Sequence, residues 1–100
     1  MNPIYLDILT RTATHCGCTL DEALTSTRKA HAVMARQVAW FILHTRYQWS
    51  YLTIAQNTKT YHRLTIRHGI NRIGDWPTNS RVSEIVEKVM DEVQYCPVNN

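Results

Sequence analysis

Apolar residues recur at helical spacing along most of this 100-residue chain, and no stretch alternates between apolar and polar positions as a strand does. The pattern predicts an all-α fold of five to six helices. We expect helices near residues 3–17, 19–24, 32–47, 50–57, 61–73 and 80–95. The positions expected to face the core are Ile4, Ile8, Leu9 and Thr12 in the first helix, Met34, Val38, Phe41, Ile42 and Thr45 in the third, and Val82, Ile85, Val86, Val89 and Val93 in the last.

Capping residues mark several of these boundaries. Asn2 can cap the first helix, and Thr19 with Glu22 has the pattern of a capping box. Ser80 can cap the last helix, which Pro97 would end. The helices are therefore indicated by their ends as well as by their apolar faces.

The stretch from residue 50 to residue 73 has the pattern of a helix-turn-helix. A polar connection at residues 58–60 separates a short helix from a longer one, in which Ile66, Ile70 and Ile73 share one face. Gly69 borders that face and would let a neighbouring helix approach closely. The outer surface carries His62, Arg63, Leu64, Arg67, His68, Asn71 and Arg72. A short helix followed by one that is apolar inside and basic outside is what a DNA-reading helix-turn-helix needs.

Charge is segregated along the chain. Residues 23–74 contain eight of the eleven bases and none of the eight acids, a net charge of +8, whereas the remainder carries three bases and eight acids, a net charge of −5. A solvated surface normally mixes both signs, so a long segment without acids is the footprint expected for a polyanionic partner.

The sequence shows neither a signal peptide nor a stretch that could cross a membrane, because its longest apolar run spans only residues 38–43. Cys16, Cys18 and Cys96 are odd in number, and nothing suggests export. We therefore expect reduced thiols and a cytoplasmic, nucleoid-associated protein.

No catalytic or metal-binding pattern stands out. The Cys-x-Cys at residues 16–18 lacks the usual spacing of zinc ligands and has no second pair. Paired carboxylates near a base, a glycine-rich phosphate loop and a nucleophile motif are all missing. We expect no metal, no cofactor and no enzymatic activity.

The central part of the chain resembles the C-terminal DNA-box-binding domain of the bacterial replication initiator DnaA, which has a Trp-repressor-like helix-turn-helix. The resemblance is carried by Arg28-Lys29, by Ala35-Arg36-Gln37-Val38-Ala39, by residues 50–55, and by Thr65, Ile66, His68 and Ile73. The family's Asp, His and first Thr at the start of the recognition helix are replaced by His62, Arg63 and Leu64, and its preceding glycines by Lys59 and Thr60. The resemblance therefore implies a similar mode of docking with a different DNA sequence.

The length predicts a single domain, with N-terminal helices at residues 1–27, a DNA-binding core at 28–74 and a C-terminal helix at 80–95. One hundred residues cannot hold the ATPase domain of an initiator. We therefore expect a free-standing relative from a bacterium, a phage or a mobile element, acting in replication or transcription control.

Three groups of DNA contacts follow from this interpretation. By resemblance, Arg36 and Gln37 would hold phosphates, and Arg28 and Lys29 would reach the minor groove. Lys59 and Thr60 in the turn are further phosphate candidates. The recognition helix would read bases with Arg63, Leu64 and Arg67, because Arg pairs with guanine and Leu contacts a thymine methyl. The remaining candidates on that helix are His62, Thr65 and His68.

Two alternatives remain open. Trp40, Tyr47, Trp49 and Tyr51 cluster at one corner, and aromatics among bases can stack on single-stranded nucleic acid or RNA, although such clusters more often belong to the core. The valine-rich stripe of the last helix could form a homodimer or bind a replication or host protein instead of packing on the core.

Overall fold

A computed structural model of the chain describes residues 2–58, 60–77 and 80–93. These residues form six α-helices and no strand, so the predicted all-α class is confirmed. The helices are α1 (Pro3–Cys16), α2 (Leu20–Leu24), α3 (Ala30–Thr45), α4 (Tyr51–Thr58), α5 (Arg63–Gly74) and α6 (Arg81–Val93). None of these helices has the length and apolar character needed to span a membrane. The predicted contact Lys59, together with Cys96 and Pro97, lies outside the described residues.

The predicted caps are present. The side chain of Asn2 accepts a hydrogen bond from the backbone of Ile4, and Gly17 ends α1 in the left-handed conformation at φ 81°. Thr19 and Glu22 form the capping box at the start of α2. The hydroxyl of Ser80 accepts from the backbone N–H of Ser83 at the start of α6. Local side-chain chemistry therefore sets these ends as the sequence indicated.

Helix α3 is the centre of the molecule, because α1 and α5 both pack against it and α2, α4 and α6 contact it too. It is buried on several sides, and its small residues Ala32, Ala35 and Ala39 allow its neighbours to approach closely. Of its predicted core face, Val38 and Ile42 are fully buried, whereas Met34, Phe41 and Thr45 are only partly buried. The buried surface of this helix therefore extends beyond a single apolar stripe.

The structure corrects both ends of α3, the start of α5 and one core position. Helix α3 ends at Thr45, two residues before the predicted end. Helix α3 begins at Ala30, two residues before the predicted start, and α5 begins at Arg63, so Tyr61 lies in the turn. Ile4 was predicted to be buried but is 43% exposed, and Tyr5 is buried in its place. The Tyr5 hydroxyl accepts a hydrogen bond of 3.4 Å from the indole of Trp40, which anchors α1 to α3.

Helix α6 packs back on the domain. Four members of its predicted stripe, namely Val82, Ile85, Val86 and Val89, are buried in the core, and Val93 packs partly buried against it. At the far end of α6, Glu92 lies 2.6 Å from the ring of His15 and 3.4 Å from the guanidinium of Arg11. The apolar stripe is thus used within the chain, and polar contacts join the end of α6 to α1.

Candidate nucleic-acid interface

Helix α5 has one buried face and one exposed face. Ile66, Ile70 and Ile73 are buried, as their spacing predicted. The exposed face carries Arg63, Leu64, Thr65, Arg67, His68, Asn71 and Arg72. Leu64 is 53% exposed. The predicted base-reading side chains therefore all face outward.

Gly69 allows α5 to lie close to α3. A Cβ atom added at Gly69 would lie 3.0 Å from the ring of Trp40 and 3.1 Å from the side chain of Gln37. The packing reason that we predicted for this glycine is therefore present. It fixes the depth at which α5 sits on α3, and so how far its outer face projects.

The turn before α5 is held by local hydrogen bonds. The Thr58 hydroxyl donates to the carbonyl of Ala55 at 2.8 Å and accepts from the backbone N–H of Tyr61 at 3.1 Å. His62 caps α5, because its Nδ1 accepts from the backbone N–H of Leu64 at 3.1 Å. This cap needs a lone pair on Nδ1, which leaves the Nε2–H as a donor on an exposed ring. Thr60 is exposed beside it.

The basic loop, which we define as residues 25–29, lies beside α5. Arg28 lines two clefts. One, of about 270 Å³, is also lined by Gln37, Tyr61 and Thr65. The other, of about 310 Å³, is bounded by Arg72 and Trp76 among others. The loop, the start of α3 and the outer side of α5 therefore form one continuous surface, which includes the predicted contacts Arg28 and Gln37.

Arg36 differs from its predicted position. It is only 5% exposed, and its guanidinium donates to the carbonyl oxygens of Thr25 at 2.8 Å and Thr27 at 2.6 Å. A third carbonyl, that of Ala23, lies at 3.5 Å. The predicted grip on phosphates is therefore wrong for this residue, because its donors point into the protein.

The arginines on this surface have no acidic partners. Among residues 2–58, 60–77 and 80–93, no carboxylate lies within salt-bridge distance of Arg28, Arg63, Arg67 or Arg72. Elsewhere, Arg11 pairs with Asp7 at 3.0 Å and Lys88 with Glu84 at 3.3 Å, and Arg81 donates to the carbonyl oxygen of His15 at 3.4 Å. Lys29 is intermediate, because its ammonium lies 3.8 Å from Glu22. Unpaired positive charge is therefore concentrated beside α5. Sequence reasoning left Arg72 out of the site, although it is four residues beyond His68 on the same face.

The corner aromatics serve the core. Trp40 is 2% exposed, and Tyr47, Trp49 and Tyr51 pack partly buried against the core. Tyr51 stacks on the ring of His44, with 4.4 Å between the ring centroids. These side chains hold α3 and α4 together, as the core interpretation predicted, and do not form an open stacking platform. An exposed aromatic side chain beside the arginines of this surface is that of Trp76, which is 41% exposed.

The described residues contain no group of three side chains that could hold a metal ion. Burial raises the pKa of the Cys16 thiol to about 11, and burial also raises the pKa of Cys18. Both thiols are therefore protonated at neutral pH and poor ligands or nucleophiles.

Comparison with known families supports this geometry. The family model of the bacterial DnaA protein helix-turn-helix matches residues 6–73. The match spans α1 to the end of the isoleucine face of α5 and includes the basic loop, whereas α6 lies outside it. No curated protein and no solved structure matches the chain at a significant level. With most of its length matched, and with a recognition-type helix exposed beside unpaired arginines, the chain belongs to the DNA-binding helix-turn-helix family of bacterial DnaA.

Proposed function

We propose that this protein binds double-stranded DNA with some sequence preference, with α5 in the major groove. The observation that carries the proposal is a set of four arginines, Arg28, Arg63, Arg67 and Arg72, on the surface where α5 is exposed. Within the described residues, no carboxylate lies within salt-bridge distance of any of them. A folded protein normally pairs or disperses like charges, because their repulsion opposes compaction. A surface that keeps four arginines together is suited to binding a polyanion such as DNA.

The first turns of α5 supply the base contacts in this proposal. An α-helix with its side chains is about 10–12 Å across and fits a major groove about 12 Å wide, and the 12 residues of α5 extend about 18 Å along it. Arg63 and Arg67 would pair with guanines, and Leu64 would pack on a thymine methyl. The hydroxyl of Thr65 and the ring of His68 complete the same exposed face.

Phosphates would be held around the start of α5. Gln37 and Thr65 line the cleft of about 270 Å³ between the basic loop and α5, and their polar side chains could donate to a phosphate there. The Nε2–H of His62 and the hydroxyl of Thr60 add donors at the positive end of α5. Lys59, which directly precedes Thr60 in the sequence, would add a positive charge. These contacts fix register without reading bases.

The basic loop would enter the adjacent minor groove. Arg28 and Lys29 are both exposed, and Arg28 lines the cleft of about 270 Å³ together with Thr65 of α5. An arginine in a minor groove responds to groove width and A·T content. We propose that the protein acts in this way in replication or transcription control of a bacterium, phage or mobile element.

Fluorescence anisotropy with a random-sequence duplex and a matched single strand, at several salt concentrations, tests the proposal. With four to six phosphates contacted, log K against log[salt] should have a slope of about −4 to −5 for the duplex, with weaker binding to the single strand. Replacement of both Arg63 and Arg67 by alanine should remove most of the affinity. Each single variant, Arg63→Ala or Arg67→Ala, is compared with Lys88→Ala, which removes one positive charge from α6, outside the proposed DNA-binding surface. A flat slope, or equal loss in the control, would contradict the proposal.

A further inference from the structure

Arg36 joins the two segments that the proposed function assigns to DNA. Its guanidinium donates to the carbonyls of Thr25 and Thr27, and its central carbon lies 5.4 Å from the centroid of the Tyr61 ring. Thr27 immediately precedes Arg28, and Tyr61 lies in the turn before α5. One buried side chain therefore contacts both the basic loop and the start of the recognition helix.

The other hydrogen bonds of the basic loop are short-range. The backbone N–H of Thr25 donates to Asp21 in α2, and that of Lys29 donates to the Thr27 hydroxyl. In the described part of the chain, only the side chain of Arg36 bonds this loop to the middle of α3. The ends of the loop are attached to α2 and to the start of α3 by contacts of near neighbours, and Arg36 attaches its middle.

The partner ring is itself held in place. Tyr61 packs edge-on against Trp40, with 5.3 Å between the ring centroids, and Trp40 is the side chain on which Gly69 of α5 rests. Arginine suits this position because its planar fork can donate to two carbonyls while its face lies on a ring. A lysine ammonium has no such plane and cannot hold all three groups.

We propose that Arg36 is a positioning residue that sets the distance between Arg28 and the start of α5, so that the minor-groove and major-groove contacts are made in one register. The inference rests on the proposed function and adds that the two contacts are energetically coupled. It implies a bound site in which an A·T-rich segment lies at a fixed spacing from the base pairs read by α5.

A double-mutant cycle tests this coupling through duplex affinity. In the wild-type background, Arg28→Ala should weaken binding by about tenfold, the cost of one good groove contact. In the Arg36→Lys background, the same change should cost less than about twofold, because the loop no longer presents Arg28 at the correct distance. Arg67→Ala should cost the same factor in both backgrounds, since α5 keeps its own packing. An equal cost of Arg28→Ala in both backgrounds would overturn the proposal.

A second variant guards against a folding defect in Arg36→Lys. Two glycines inserted between Thr27 and Arg28 keep every contact of Arg36 but release Arg28 from its fixed spacing, and a surface loop accepts such an insertion at small cost. Arg28→Ala should again lose most of its effect in this background. Site selection on random duplexes should retain the bases read by α5 and lose the fixed-spacing A·T segment. Retention of both features would refute the positioning role.

Amide hydrogen exchange of the protein without DNA separates this inference from the proposed function. Arg36→Lys should speed exchange at the amides of Thr25 and Lys29 at least tenfold and leave the amides of Ile66 and Ile70 unchanged. If the wild type fails to bind duplex but Arg36→Lys changes amide exchange in this way, the proposed function fails while the placement of the loop by Arg36 stands. Unchanged exchange in the loop would overturn the inference whatever the result with DNA.

Discussion

The backbone of Gly69 lies against the indole of Trp40 so closely that a methyl group at Gly69 would lie 3.0 Å from a ring carbon. Trp40 is buried and is hydrogen-bonded to Tyr5, so moving its ring aside would cost free energy. The contact explains why a glycine is placed in the middle of α5, where it lowers helix propensity.

Gly69→Ala should therefore destabilise the protein. The gain in helix propensity is about 1 kcal/mol, but overpacking against a fixed ring costs about 1–3 kcal/mol. The urea midpoint should fall. Gly74→Ala is the matched control, because its added Cβ would lie 3.8 Å from Phe41, an ordinary contact, and its midpoint should not fall. A rise of similar size in both variants would show that α5 can move away from α3.

Replacing His62 should separate stability from DNA affinity. Asp is a better cap than His and adds a favourable negative charge at the helix N-terminus, so His62→Asp should raise the free energy of unfolding by about 0.5–1 kcal/mol. The same charge would face phosphates and should weaken duplex binding, with urea denaturation and anisotropy as the two measurements. His62→Ala, which removes the cap, should lower stability by about 1 kcal/mol. Tighter DNA binding by His62→Asp would argue against phosphates near this position.

Arg63 and Arg72 should play different roles. Arg63 lies in the first turn of α5, and Arg63→Ala should cost about 1–3 kcal/mol and relax the preference at one base pair. Arg72 lies near the other end, beside the basic loop. Arg72→Ala should weaken binding equally for all sequences and reduce the salt slope by about one. Competition with a panel of single-base variants distinguishes the two. A sequence-selective loss for Arg72→Ala would reverse this assignment.

The contact between α6 and α1 should give a dependence of stability on acid pH. A hydrogen bond from the His15 ring lowers the pKa of Glu92 below its usual value. A carboxyl with a lowered folded pKa contributes stability above its unfolded pKa and loses it as the pH falls through the folded value. Stability should therefore decrease below about pH 4.5, the ordinary value for Glu.

Glu92→Gln should remove part of this decrease in urea titrations between pH 6 and pH 3, and the effect should be small because the pair is solvent-accessible. Glu84→Gln is the control, since the ion pair that Glu84 makes is with Lys88, one turn away on the same helix. An identical acid dependence in the wild type and in Glu92→Gln would show that this contact contributes nothing.

The sequence by itself determined the helices, the caps of α1, α2 and α6 and the face that α5 turns inward. These features follow from local chemistry: a Thr three residues before a Glu, or isoleucines at i, i+4 and i+7, act through near neighbours on one helix. Charge segregation and the family are also properties of the sequence. That is why the exposed basic face of α5 could be predicted before its packing was known.

Only the tertiary structure decided what lies around α3. A helix with neighbours on several sides has no single buried stripe, so helical period could not show that Arg36 faces inward. Its burial is tolerable because the chain brings three carbonyls and the ring of Tyr61 to it from segments 9 to 25 residues away in sequence. The exposure of Ile4 has the same cause. The helical period of α1 alone could not show whether Ile4 or Tyr5 would pack against α3, and in the structure it is Tyr5. Which neighbour covers a side chain depends on how the helices pack, and that packing is a property of the whole fold.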